Sequence, residues 1–216
     1  MNIEKLQDRM WKTGVVPVIA IESPDLALPM ADALIEGGLP VAEITFRTAA
    51  AADVIGLLKK ERPELFLGAG TILSVENLLR AKECGALFGV SPGLNPEIAR
   101  KAKEIDFPFF PGVMTPSEVE MGLSFGTKIL KFFPAEASGG TRMLKAVSAP
   151  YGHLGVRFIP TGGVSMKNLE EYLSMDQVLV VGGTWIAKKD AISAKKWDEI
   201  RSNAAEAVRV VRKLRP

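Results

Sequence analysis

Short apolar runs and longer stretches of helical periodicity alternate along the chain. The runs fall at residues 15–21, 41–45, 65–69, 87–90, 107–110, 128–133, 156–160 and 178–181. Eight runs in 216 residues allow 27 residues per unit, room for a strand, a helix and two turns. That alternation predicts parallel strands joined by helices. Ser23-Pro24 opens the first connecting helix, Thr48 can cap one over 49–60, and Ser74 precedes one over 75–84. Asn95 stands before Pro96, at a position where a missing N–H costs no helical hydrogen bond. Thr115 has Glu118 three residues on, the spacing of a capping box. Ser165 is expected to cap 166–173, and Gly37-Gly38 and Gly85 supply left-handed helix ends. The last helix is predicted over 191–214, with Trp197, Ile200, Ala204, Ala207, Val208 and Val211 at helical spacing.

Eight such units can close into a barrel or remain an open, doubly wound sheet. No Gly-x-Gly-x-x-Gly follows the first run, which argues against a dinucleotide-binding sheet. The even repeat favours an α/β fold, a single (β/α)8 TIM barrel over residues 1–216. An extra N-terminal helix over 2–11, with Ile3, Leu6, Met10 and Trp11 on one side, is expected to close its bottom. No linker or low-complexity segment divides the chain.

Composition narrows the function classes. The chain is 47% apolar and 24% charged, as in ordinary globular domains. Its net charge of +2 offers no electrostatic footprint for nucleic acid. No apolar run reaches membrane-spanning length, and residues 1–12 lack the apolar centre of a secretory signal, so the expected compartment is the cytoplasm. Cys84 alone cannot form an internal disulfide and reads as a packed helix-end thiol. His153 is the single histidine and lies in a glycine-flanked loop, which reads as surface. Zinc sites built on several histidines are excluded, and no metal or other cofactor is expected. Catalysis must run mainly on Lys, Arg, Glu, Asp and hydroxyls.

The second and sixth strands carry polar residues where a barrel interior should be apolar. Glu43, Thr45 and Arg47 are spaced by two and share a face. Thr71 ends the third strand, and Lys131 sits between Leu130 and Phe132 in the sixth. Such charges are costly to bury unless paired or functional. A Lys131–Glu43 ion pair that merely fixes the fold is one reading, and a Lys131 that snorkels outward is another. The functional reading is a Schiff-base lysine. An apolar wall of Phe132-Phe133-Pro134 and a nearby Arg47 favour the neutral amine, which can attack a ketone. The planar fork of Arg47 suits a carboxylate, Thr71 adds a hydroxyl, and Glu43 can move protons. Together they describe a site for a 2-keto acid bound at its keto carbon. Thr161-Gly162-Gly163 after the seventh strand and Gly182-Gly183-Thr184 after the eighth occupy the recurrent phosphate-binding loops of this fold.

With these residues in place, the sequence resembles the 2-keto-3-deoxy-6-phosphogluconate (KDPG) / 4-hydroxy-2-oxoglutarate (KHG) aldolases of the Entner–Doudoroff route. The matching segments include Val16-Pro17-Val18-Ile19, Glu43-Ile44-Thr45-Phe46-Arg47-Thr48, Gly68-Ala69-Gly70-Thr71, Ser91-Pro92-Gly93, Pro111-Gly112-Val113 and Lys131-Phe132-Phe133-Pro134-Ala135-Glu136. Pro160-Thr161-Gly162-Gly163 and Gly182-Gly183-Thr184-Trp185 complete the set.

The resemblance implies an imine between Lys131 and pyruvate and proton transfer by Glu43. It further implies carboxylate binding by Arg47 and Thr71 with backbone around Pro92, and an apolar contact from Phe133. Gly162, Gly163 and Thr184 match phosphate-binding positions, with Thr161 nearby. A (β/α)8 homotrimer that uses no metal is also implied. Thr184 departs from an expected Ser, and the 151–155 loop is slightly longer than usual. A galactonate-derived epimer is an alternative substrate. A non-covalent phosphosugar isomerase or epimerase barrel using Glu43 as base is an alternative activity, and a non-catalytic phospho-ligand barrel is a further one. Neither of the last two needs a buried lysine at 131.

Overall fold

The computed structural model describes residues 3–215, so Asn2, the expected start of the first helix, lies outside them. The strands are β1 (Val15–Ile19), β2 (Val41–Thr45), β3 (Phe66–Gly70), β4 (Phe88–Val90), β5 (Phe109–Phe110), β6 (Gly112–Val113), β7 (Ile129–Phe132), β8 (Arg157–Pro160) and β9 (Val181–Gly183). Between and around them run α1 (Ile3–Thr13), α2 (Ala27–Glu36), α3 (Ala51–Glu61), α4 (Val75–Glu83), α5 (Pro96–Glu104), α6 (Pro116–Ser124), α7 (Gly140–Ser148), α8 (Leu169–Leu173), α9 (Lys189–Ser193) and α10 (Trp197–Leu214). All strand pairs are parallel. A six-stranded sheet runs β5-β4-β3-β2-β1-β9, and a three-stranded sheet runs β6-β7-β8. Pro111, which has no N–H, separates β5 from β6. β5 pairs with β4 on one side of that break, and β6 with β7 on the other. Toward β9, the link is two isolated parallel bridges, Phe158↔Val178 and Thr161↔Gly182.

The sheets curl around a shared interior and carry their helices outside. Ala42 and Ile44 of β2 are fully buried on one face, while Glu43 and Thr45 take the other. Phe88 of β4 occupies the space a side chain at Gly68 would need, and it packs between Phe66 and Phe110 at ring-centroid distances of 5.2 and 5.8 Å. This aromatic layer fills the interior. α1 lies against the N-terminal strand ends: Arg9 stacks over Phe66 at 4.6 Å and donates to the Glu64 carbonyl. Leu6 and Met10 of α1 are buried, whereas Ile3 and Trp11 stay partly in solvent.

Caps at Ser74, Asn95 and Thr115–Glu118 form as the spacing predicts. Several boundaries differ. The Thr48 hydroxyl donates to the Ile21 carbonyl instead of capping, and α3 starts at Ala51. The 165–168 segment is a turn held by Asn168, so α8 begins at Leu169. The last helical stretch breaks between α9 and α10, where Lys195 adopts a left-handed φ of 55°. The eighth predicted strand is shifted: β9 starts at Val181, so Gly182 and Gly183 are strand residues and not a following loop. Cys84 is the C-cap of α4, with its thiol on the Ala81 carbonyl at 3.3 Å, and His153 is exposed. No helix among the described residues is long and apolar enough to cross a membrane.

Candidate active site

β2 projects Glu43 and Thr45 into the interior, and β7 projects Lys131 from the other sheet. Lys131 Nζ lies 4.0 Å from Glu43 Oε1, and both side chains are almost wholly enclosed. Among the described residues, Nζ makes no hydrogen bond; its other neighbour is the Phe133 ring, 5.2 Å from the centroid. Glu43 Oε1 is buried without a hydrogen-bond partner. Burial pushes the Glu43 carboxyl above its ordinary range, against the opposing pull of Lys131 and Arg47. β3 makes room for this carboxylate. A Cβ on Gly70 would sit 2.1 Å from Glu43 Oε1, so only glycine admits the group there.

Arg47 emerges just beyond β2 into solvent, with Nε donating to Thr45 Oγ1 at 3.1 Å. Thr71 follows β3 with a left-handed φ of 57°, unusual for a β-branched residue and a conformation that clusters at functional sites. Pro92 is brought in by Gly112: a side chain there would meet the Pro92 carbonyl at 2.0 Å. These residues thus share the C-terminal ends of β2, β3, β4 and β6.

The glycine segments adjoin the same region. Gly162 and Gly163 have φ of 95° and 82°, and Gly162 packs against Phe133. The turn is fastened to the segment after β7 by Ala135 N–H on the Thr161 carbonyl and Glu136 N–H on the Gly162 carbonyl, at 2.8 and 3.0 Å. Thr161 is buried and bridges to Gly182, whose missing Cβ leaves room for Thr161 Oγ1. A Cβ on Gly183 would clash with the Trp185 ring, so each glycine of β9 admits a close neighbour, and Thr184 is exposed just beyond them.

Sequence reasoning assigned no role to Thr45, although the period-two spacing had placed it between Glu43 and Arg47. It also passed over Tyr172, a buried phenol donating to Glu136 Oε1 at 2.5 Å behind the Gly162–Gly163 turn. Only a helical apolar position marked that tyrosine. No group of three or more His, Cys, Asp and Glu suited to a metal occurs among the described residues. An enclosed amine beside a buried carboxyl that can give and take a proton is chemically fit to form and hydrolyse an imine.

A family model described as KDPG and KHG aldolase matches residues 6–203. The 2-dehydro-3-deoxy-phosphogluconate aldolase of Haemophilus influenzae is 44% identical over 209 residues, covering 97% of this chain and 98% of that protein. The KHG/KDPG aldolase of Escherichia coli K12 is 44% identical over 207 residues, covering 92% and 96%. Among solved structures, the KDPG aldolase of Legionella pneumophila, with pyruvate captured as a covalent carbinolamine, superposes with a TM-score of 0.89 at 38% identity. That match covers 93% of this chain and 97% of the Legionella chain.

Proposed function

The chain belongs to the KDPG and KHG aldolase family, and we propose that Lys131 and Glu43 carry its chemistry. The protein is a class I aldolase, a lyase that cleaves KDPG to pyruvate and glyceraldehyde 3-phosphate and KHG to pyruvate and glyoxylate. The observation that carries the residue assignment is the enclosed Lys131–Glu43 pair, 4.0 Å apart, with a carboxyl oxygen left unpaired.

The Lys131 amine attacks the keto carbon C2 to give a carbinolamine. Glu43 delivers the proton with which water leaves, and an iminium forms. The C4 hydroxyl then passes its proton to Glu43 as the C3–C4 bond breaks. The bond's electron pair flows into the iminium, the aldehyde departs, and an enamine of pyruvate remains. Glu43 returns a proton to C3, and water hydrolyses the iminium to pyruvate and free Lys131. A carboxyl whose pKa is raised by burial gives up its proton less readily than an exposed one and suits a group that must both deliver and take protons. The iminium is itself the electron sink, so the sequence of steps calls on no metal or cofactor.

Arg47 grips the substrate carboxylate, with Thr71 and backbone at Pro92, and Phe133 packs against the pyruvyl methyl. The Gly162–Gly163 turn, with Thr161, Thr184 and the Gly182-Gly183 strand end, receives the distal phosphate. We read the two sheets as one (β/α)8 barrel, β5 and β6 being a single strand interrupted at Pro111. The bridges at Val178 and Gly182 support that closure. The assembly is read as a homotrimer acting in the cytoplasm. Sedimentation at one or two times 23.3 kDa would overturn the trimer.

Borohydride reduction in the presence of pyruvate tests the chemistry. Peptide mass spectrometry should place a stable adduct on Lys131. No adduct, or one on another lysine, removes the assignment.

A further inference from the structure

We propose that Thr45 is the positioning residue for Arg47, fixing which edge of the guanidinium meets the substrate carboxylate. The inference rests on the carboxylate role of Arg47 given above. Thr45 is 1% exposed, and its hydroxyl donates to the Ile19 carbonyl of β1 at 2.8 Å. A hydroxyl has one proton. With that proton committed across the sheet, the oxygen's remaining lone-pair capacity is left to accept Arg47 Nε at 3.1 Å. Among the described residues, this is the one hydrogen bond of the Arg47 side chain.

Two consequences follow from that chain of donors. The long, exposed arginine is held before substrate arrives, which reduces the ordering cost of binding. Its Nε is occupied, so the two terminal nitrogens are presented end-on, and the side-on pairing through Nε is blocked.

The test compares Thr45→Val, Thr45→Ser, Arg47→Ala and the Thr45→Val/Arg47→Ala double variant. Three quantities are read: the pyruvate concentration that half-saturates borohydride trapping at Lys131, and KM and kcat for KDPG. Thr45→Val should raise half-saturation and KM about tenfold, the scale of one hydrogen bond to a charged group. The value of kcat should stay within about twofold, since uniform binding is what is lost. Thr45→Ser should restore the native values. In the Arg47→Ala background, Thr45→Val should add nothing. Thr45→Ala gives the same comparison if the valine variant does not fold.

An equal penalty in both backgrounds, a fall in kcat with KM unchanged, or failure of serine to rescue would overturn the proposal. If Arg47→Ala itself leaves half-saturation unmoved, the carboxylate assignment falls first and the positioning role with it. If only Thr45→Val is silent, the positioning role alone falls.

Discussion

Lys131 and Arg215 are both buried basic side chains, at 5% and 8% exposure, yet their surroundings are opposite. Arg215, just past α10, donates to the carbonyls of Trp11, Leu179 and Val178 at 3.0, 2.7 and 2.9 Å and stacks over Trp11. Burial, with a smaller push from Arg157, lowers its pKa to about 10, and it remains a cation tied to three backbone acceptors. Lys131 has no such acceptors, only a carboxylate at 4.0 Å and an aromatic face. A buried charge whose hydrogen bonds are made is a structural tie across the N-terminal end. A buried amine that makes no hydrogen bond, beside a carboxyl oxygen without a hydrogen-bond partner, is poised for a ligand.

The contrast is broken most directly at Lys131. Lys131→Ala should lower turnover by several orders of magnitude and abolish pyruvate-dependent trapping, because the nucleophile is the covalent route. Lys131→Arg should fare no better, since a guanidinium stays protonated. Glu43→Gln comes next: single-turnover assays should show turnover down by ~10²–10⁴ with imine formation still detectable. Near-normal turnover would reduce Glu43 to an ion-pair partner.

The two substrate ends sharpen the picture at a smaller scale. Arg47→Ala should damage cleavage of KDPG and KHG alike, whereas Gly162→Val, at a left-handed φ and against Phe133, should penalise KDPG selectively. The ratio of the two kcat/KM values should shift by about tenfold or more. Equal slowing of both substrates by Gly162→Val would move the phosphate elsewhere.

Arg215→Gln supplies the opposite result at the other end. It should cost roughly 1.5–3 kcal/mol in urea unfolding and leave kcat/KM unchanged. Last is a pH effect on stability. The folded Glu43 carboxyl keeps its proton at pH values where the unfolded one has lost it, so stability falls as pH rises through that window. In a Lys131→Met background, Glu43→Gln should therefore raise the Tm near neutrality. That gain should shrink as pH falls and vanish below the ordinary carboxylate range of about 4.3.

The alternation of runs and capped helices made the α/β architecture readable, because most strands are apolar on both faces and a helix cap is local chemistry. Lys131 and Glu43 were legible for the converse reason, as charges within otherwise apolar strands. β9 was misplaced because the apolar run at 178–181 outweighed Gly182 and Gly183, which are poor strand formers. Their place in the strand comes from the parallel pairing of Val16 with Gly182 and Pro17 with Gly183, a long-range register that no local pattern reveals. The break at Lys195 carries no glycine or proline to announce it. Thr45 lay on the right face, but its bond to Ile19 belongs to the pairing of β1 with β2 and not to either strand alone.

The reacting pair also spans two plates. Glu43 rides on the six-stranded sheet and Lys131 on the three-stranded one, joined along one side at Pro111 and along the other by two single bridges. The gap between amine and carboxyl is therefore set by seams, not by a continuous ladder. For an engineer seeking activity at high temperature, those seams are the first parts to stiffen, because a slight splay there would open the pair while leaving every helix intact.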